Sequence, residues 1–303
     1  MAATTPYFSV VVPTYNRSHL IGPTIRSVLA QTLADFELLV VDDGSTDDTA
    51  SVVRSFGDPR VRYLPISNRE RGAARNHGLR CAVGEYVVFL DSDDEFQPPH
   101  LEVLQRAILA QAHPPNFVAT RYRYRVGHRW RRSPASRVQP GWRGADDFAR
   151  GNFLACNVCV RRANPDLRPF EEDRRYAAVE DWMFLLENTQ ADKLLLLDAE
   201  TVTMVEHDER SMRSNNRLVI ERLGLAVRWM EERLDLTPRQ LRRVRGRAFW
   251  LCAVHAYADD RRVEAWAFAR QAFAGIPWPE AVMLVVRILV GPKLVGRLKA
   301  AGF

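Results

Sequence analysis

At 303 residues, with 47% hydrophobic and 26% charged residues, the chain has the composition of an ordinary globular protein with room for one large domain or two smaller ones. Formal net charge is +6, carried almost wholly by arginine (Lys193, Lys293 and Lys299 are the only lysines), and no apolar run approaches the ~20 residues needed to span a bilayer. Cys156 and Cys159 form a CxxC with no second pair; with Cys81 and Cys252 they fit buried thiols in a reducing cytoplasm better than a zinc site, and no charged n-region marks Phe8–Val12 as part of a secretory leader.

Tyr7–Val12 reads as a strand ended by Pro13. Ser18 is a candidate N-cap for a helix whose apolar stripe is Leu20, Ile21, Ile25, Val28 and Leu29. Phe36–Val41 is a second buried strand that runs into Asp42-Asp43-Gly44-Ser45. Thr46–Phe56 reads as a helix with Asp47 and Asp48 in its first turn, where the helix dipole favours acid. Val61–Ile66 is a weaker strand, and Arg71–Val83 a helix stopped by Gly84 as its C′ residue. Tyr86–Leu90 has the continuous apolar pattern of a strand buried on both faces, so Asp91, Asp93 and Asp94 must lie where it emerges. Alternating strands and helices predict right-handed βαβ units and a parallel sheet, whose carboxyl edge is where ligands bind.

Pro98-Pro99 opens a helix over His100–Gln111. No acidic residue follows until after Ala145, while arginines accumulate from Arg106 to Arg143. Ala119–Val126 alternates as a strand with one basic face, either solvated or turned to an anionic acceptor or membrane headgroups. Asn152–Val160 reads as a strand, and Glu180-Asp181-Trp182 opens a helix, a position where carboxylates also serve the dipole. Lys193–Leu197 and Thr201–Val205 read as short strands, followed by a polar cluster from Glu206 to Ser211. Helices are predicted over Leu218–Leu234, Pro238–Tyr257 and Val263–Phe273, with a break at Pro277-Trp278-Pro279. The tail from Ala281 suits either a core helix or an amphipathic helix on a membrane surface.

Three carboxylates at one point repel one another unless a cation sits among them, and hard oxygen ligands suit Mg²⁺ or Mn²⁺. An isolated DxD is also compatible with a solvated acidic turn; its neighbours weigh against that. Val11-Val12-Pro13-Thr14-Tyr15-Asn16-Arg17, Val41-Asp42-Asp43-Gly44-Ser45-Thr46-Asp47, Asn68 with Arg71-Gly72-Ala73-Ala74-Arg75-Asn76, Gly84-Glu85-Tyr86 through Asp94, and Glu180-Asp181-Trp182 occur in order. In these stretches, over about residues 7–210, the chain resembles the inverting family-2 glycosyltransferases of the GT-A fold.

The resemblance implies an α/β GT-A fold, Rossmann-like with a mostly parallel central sheet, and an α-helical C-terminal extension. Residues 1–98 would form the nucleotide-sugar half, 99–212 the acceptor half and 213–303 the extension. It implies a metal-dependent inverting transferase that moves a sugar from a nucleotide-diphosphate donor, most often a UDP-sugar, to a glycan or lipid-linked hydroxyl in surface polysaccharide or glycoconjugate synthesis. Pro13, Thr14, Tyr15 and Arg17 would meet the base, with Tyr15 stacking on it; Asp43, rather than Asp42, would accept the uracil N3–H. Arg71, Gly72 and Arg75 would lie near base or diphosphate, and Asp91 and Ser92 near ribose or sugar. Asp93, or Asp94 if the loop is shifted by one, would bind Mn²⁺ or Mg²⁺ with His207, with Ser211 and Arg213 as companions. Asp181 would be the general base. Such an enzyme would be cytoplasmic, with peripheral membrane contact through residues 121–137 or 281–303. A catalytically silent nucleotide-sugar or glycan-binding module is the alternative. A nucleotidyltransferase is disfavoured because residues 13–17 lack glycine, and a nucleic-acid role because no nucleic-acid fold signature accompanies the arginines.

Overall fold

The computed structural model describes residues 5–207 and 215–290. Its first hundred residues are built as the alternation predicts. Strands β1 (Phe8–Thr14) and β2 (Phe36–Asp42) are buried at every position, and β3 (Val61–Pro65) is half exposed at the edge. Helices α1 (Ile21–Leu29), α2 (Thr49–Arg54) and α3 (Glu70–Cys81) make the crossovers, and α3 delivers the chain to the fully buried β4 (Tyr86–Phe89). These four strands pair in parallel in the order β3-β2-β1-β4.

Several local expectations are corrected. β1 does not end at Pro13 but runs to Thr14, because its last rung with β4 is Val11 opposite Phe89, so Pro13 stands where that flank is no longer laddered. Ser18 does not cap α1, which begins at Ile21 without a side-chain cap; the Ser18 N–H donates to Asp47 instead (3.0 Å). Asp47 therefore precedes α2 rather than lying in its first turn, and it also accepts from the Thr49 N–H (3.0 Å). Gly84 is not a left-handed C′ residue. It is needed because a β-carbon there would sit 2.6 Å from the Ser9 backbone nitrogen.

The second half adds α4 (His100–Leu109), β6 (Phe117–Val126), β9 (Cys159–Arg161), α6 (Glu180–Ala191) and β10 (Leu194–Val205). The predicted strand over 152–160 is ordered as strand only at its end; Cys156 lies before it, and both CxxC thiols are buried and unpaired. The two short strands expected over 193–205 are one strand with irregular register between Leu196 and Val202. Short strands β5 (Asp94–Phe96), β7 (Arg129–Arg132) and β8 (Gly141–Arg143) escaped the sequence reading. The sheet continues β4-β9-β6-β10-β5, with β7 on β6 and β8 on β10. β9 is antiparallel to both neighbours, so the carboxyl half is mixed rather than parallel.

The extension is helical as expected: α7 (Asn216–Arg233), α8 (Pro238–Ala258), α9 (Arg262–Ala272) and α10 (Trp278–Val290). α8 starts at a capping box in which Thr237 and Gln240 exchange bonds, with Pro238 at N1. Ala253, Ala256, Ala265 and Ala269 let α8 and α9 approach, and Leu284 and Ile288 of α10 close this small second core. Ser211 and Arg213 lie outside the described residues.

Two glycines give stability effects of opposite sign. Gly84→Ala should destabilise by about 1–3 kcal/mol, because the backbone it would strike cannot move aside cheaply. Gly224→Ala, in the exposed interior of α7 with open space around it, should stabilise by roughly 1 kcal/mol. Urea unfolding of the two variants beside the parent checks both.

Candidate active site

The carboxyl ends of β1, β2 and β4 open on a cleft of about 500 Å³. Its floor depends on how two loops hold each other. Asn16 turns left-handed (φ 50°), its N–H donates to Ser45 Oγ (2.8 Å), and its Oδ1 accepts from the Thr46 N–H (2.8 Å). This pins the 13–17 loop to the 42–46 loop and leaves the Tyr15 ring 48% exposed over the cleft, with Pro13, Thr14 and Arg17 beside it.

The paired acids Asp42 and Asp43 point to different tasks. Asp42 is buried away from the cleft: its Oδ1 accepts from Ser45 N–H (2.8 Å) and its Oδ2 from the Tyr63 hydroxyl. Asp43 does line the cleft, while Oδ1 accepts from the Arg69 N–H (2.7 Å) and Oδ2 from the Glu70 N–H (2.8 Å). Burial pushes the Asp43 carboxyl up, and the two amide bonds oppose that. Its carboxylate thus fixes the start of α3, where Glu70 is itself left-handed (φ 73°).

Gly72, Arg71 and Arg75 were expected to meet the donor together. Gly72 does not line the cleft; a β-carbon there would lie 2.2 Å from the Glu171 carbonyl, so it is the crossing point of α3 and the 170–172 loop. Arg71 does face the cleft, with Nε 3.6 Å from Glu180. Arg75 is placed beneath the site, 1% exposed, with Nη1 2.7 Å from Glu180 Oε1 and Nη2 2.7 Å from Asp91 Oδ1. Burial opposes its charge, but Cys156, Asp91, Glu180 and Asp181 around it hold its pKa well above the ordinary arginine value.

Asp91, Ser92 and Asp93 all line the cleft, whereas Asp94 is turned in. Asp94 begins β5, and its Oδ1 accepts from the Val205 N–H (3.1 Å). Asp93 faces out and meets His207, Nε2 to Oδ2 2.8 Å, across more than a hundred residues of sequence. One oxygen from each of Asp91, Asp93 and Asp94 can lie within 4.8 Å of the others, a spacing and donor type that fit a hard divalent cation.

On the opposite wall the Glu180–Asp181 pair separates. Glu180 is 2% exposed and bound to Arg75. Asp181 reaches the cleft, with Oδ1 accepting from the Trp182 N–H (2.7 Å) and Oδ2 from Asn152 Nδ2 (2.9 Å). Its carboxyl is pushed up to about 7, first by burial and then by the charge of Glu180, against the pull of Arg75. Sequence reasoning missed Asn152 altogether. It also missed Ala155 (φ 53°) and Ala178 (φ 76°), two strained alanines on the cleft wall for which alanine gives no signal.

The basic face of β6 is largely compensated from within. Arg125 pairs with Glu95 (2.6 Å) and Arg121 with Asp198, while the Arg123 guanidinium lies 3.9 Å over the Trp130 ring.

The fold is the GT-A fold: S. aureus TarS 1–349 in complex with UDP-GlcNAc superimposes with a TM-score of 0.67 at 21% identity, covering 88% of this chain and 81% of that one. The mannosyltransferase PcManGT of Pyrobaculum calidifontis, in complex with GDP-Man and Mn²⁺, gives 0.58 at 22% identity, over 94% and 80%. Residues 9–199 match the Glycosyl transferase family 2 model, and the chain belongs to that family. It is 42% identical over 113 residues to the GalNAc(5)-diNAcBac-PP-undecaprenol beta-1,3-glucosyltransferase of Campylobacter jejuni (36% of this chain, 37% of that one). It is 44% identical over 97 residues to the Escherichia coli UDP-Glc:alpha-D-GlcNAc-diphosphoundecaprenol beta-1,3-glucosyltransferase WfgD (31% and 38%). The aligned stretch is thus little more than a third of either relative's length.

The raised Asp181 carboxyl has a consequence for stability. A native pKa near 7 against an ordinary 3.8 means the folded state holds that proton more tightly, so stability is lost as pH rises from about 4 to about 7. Asp181→Asn removes that loss. The melting temperature of the variant relative to the parent should climb over this interval and level off above it, as scanning calorimetry across pH would read.

Proposed function

We propose that the chain is a metal-dependent, inverting glycosyltransferase that moves a sugar from a nucleotide-diphosphate donor, most simply a UDP-sugar, to a hydroxyl of a glycan or lipid-linked acceptor. Surface polysaccharide or glycoconjugate synthesis at the cytoplasmic face of a membrane is the setting this reading implies. The carrying observation is the division of labour between two adjacent acids: Glu180 is neutralised by Arg75, while Asp181 faces the cleft with its affinity for a proton raised. A base with a pKa near the working pH is the efficient choice for taking a proton from an attacking hydroxyl.

The other roles follow from position. Tyr15 offers a ring face to the base, and Asp43, with two lone-pair sites already given to backbone amides, offers a remaining one to the uracil N3–H. Arg71 supplies a planar charged fork for diphosphate oxygens. Asp91, steadied by Arg75, would face ribose or sugar. Asp93 with His207 would hold Mn²⁺ or Mg²⁺ in preference to Asp94, which is turned into the sheet. When bound, the cation would neutralise charge on the departing nucleotide. Asp181 would then direct the acceptor oxygen onto the anomeric carbon from the face opposite the leaving group, and one displacement inverts the configuration. The relatives' undecaprenol-linked names make a lipid-linked acceptor the leading choice. No described helix is long and apolar enough to cross a membrane.

Asp181→Asn should fold, bind UDP with near-parent affinity and transfer sugar at least about a hundredfold more slowly. In the parent, kcat/KM should fall as pH drops through about 7, and that inflection should vanish in the variant. Transfer at the parent rate would move the base elsewhere. Asp93→Ala should abolish metal-dependent transfer and weaken UDP binding in Mn²⁺; retained metal-dependent activity would promote Asp94.

The uracil contact is tested with ligands rather than with Asp43 itself, since its substitution would also free the start of α3. Cytosine lacks the N3 proton, so CDP should bind at least about tenfold more weakly than UDP by calorimetry. Equal affinities would remove the contact.

A further inference from the structure

Away from the cleft, a second cavity of about 380 Å³ opens between α8, the 274–277 turn and the residues after α5 (Ala145–Phe148). Four arginines of α8 line it, Arg239, Arg242, Arg243 and Arg247, at spacings that put them on one helix face, and Arg150 closes the far side. Its wall is built by contact: a β-carbon on Gly246 would lie 2.4 Å from Gly275 Cα, so the turn rests directly on α8.

The charges in this cavity do not balance. Arg247 meets Glu280 at 3.2 Å and Arg243 meets Asp146 at 3.2 Å. Among the described residues no carboxylate pairs with Arg150, Arg239 or Arg242. Arg247 is largely enclosed, and burial holds its guanidinium below the ordinary value despite Glu280. Arg150, Arg239 and Arg242 stand exposed at the mouth of the cavity, where they can take an anion from outside, and planar guanidinium forks suit phosphate oxygens.

Glu280 belongs to α10, which carries the second observation. Ala281, Leu284 and Ile288 bury one face of α10 against α8 and α9. The exposed side is apolar apart from Arg287: Trp278 is 79% exposed, Leu289 67% and Met283 55%, with Val282 and Val286 beside them. A helix docked on one side and facing water on the other would be polar outside. An apolar outer face beside an arginine-lined cavity matches a bilayer surface carrying phosphate headgroups, in chemistry and in charge.

We propose that this cavity is a phosphate site for a membrane-borne anionic lipid, with α10 lying in the interface and the α8 arginines gripping the headgroup. The inference deepens the membrane reading above and rests on it. It also places that contact on α8 and α10 rather than on β6, where the arginines already have internal partners. The site adjoins the catalytic wall, since Arg247 lies so close on Gly151 that a β-carbon there would be 2.7 Å from its Nε. The next residue, Asn152, donates to Asp181 (2.9 Å).

Flotation of the full chain with phosphatidylglycerol or phosphatidylcholine vesicles tests it. Phosphatidylglycerol vesicles should bind, phosphatidylcholine vesicles at least about tenfold less, and Arg239→Gln and Arg242→Gln should each weaken binding about fivefold. Val286→Glu should abolish it, while circular dichroism shows the variants folded. Equal binding to both vesicle types, or arginine variants that bind like the parent, would overturn the proposal. Saturable calorimetric binding of inorganic diphosphate without vesicle binding would also overturn it, by assigning the cavity to a free anion. Donor hydrolysis with UDP-sugars and Mn²⁺ is read separately; its absence would remove the transferase reading and leave the vesicle result standing.

Discussion

The cleft depends on one buried cation. Arg75 sits at 1% exposure with a carboxylate on each of two guanidinium nitrogens, Glu180 at 2.7 Å and Asp91 at 2.7 Å. Breaking a buried pair by removing one partner typically costs about 3–5 kcal/mol, since it strands the other charge. Here one guanidinium serves two acids from opposite walls, Asp91 beyond β4 and Glu180 at the head of α6. It therefore ties the carboxyl end of β4 to the head of α6, the two sides from which Asp91 and Asp181 face the cleft. The Phe170 ring, 5.3 Å from the same guanidinium and stacked on Phe184 of α6, backs the joint with apolar contact.

That single charge also distributes the work of the acids. Arg75 pairs directly with Glu180 and Asp91, but Asp181 receives only its longer-range field and feels the charge of Glu180 beside it. Of two adjacent carboxylates on one helix terminus, Glu180 is thereby held in a buried ion pair while Asp181 stands at the cleft with its proton affinity raised. Neither residue could do this alone, since a helix dipole would treat both alike.

The fold was legible where chemistry forces a single answer. The apolar runs Val10–Val12, Leu38–Val41 and Tyr86–Phe89 read as buried strands, and carboxylates following them must stand at the sheet edge, where Asp43, Asp91 and Asp93 are found. It was illegible where a residue's job depends on something far along the chain. Asp42 and Asp43 are neighbours of one type, yet Tyr63 turns one inward while the α3 amides hold the other at the cleft. Gly72 and Arg75 sit in the expected motif but serve a crossing loop and a buried bridge; only the fold brings Glu171 and Glu180 to them. Short strands such as β9 are set by their sheet partners, and three residues carry too little pattern to be read alone.

The same limit applies to the segment before β9, which carries no motif yet is closely tied to the cleft wall that holds Asp181. The segment from α5 to Asn152 touches three things at once. Phe148 offers its carbonyl to the Trp182 indole (2.7 Å), Asn152 holds Asp181, and Gly151 lets Arg247 pass against the backbone. None of these contacts demands a motif, because carbonyls, a small residue and one amide side chain are enough. A stretch constrained by contact in this way holds Asp181 at the cleft without leaving a sequence signature. It also links the helical extension to Asp181, since Arg247 packs on Gly151 and the next residue, Asn152, bonds the Asp181 carboxylate. On that geometry the helical extension is built into the wall that holds Asp181, not appended to it.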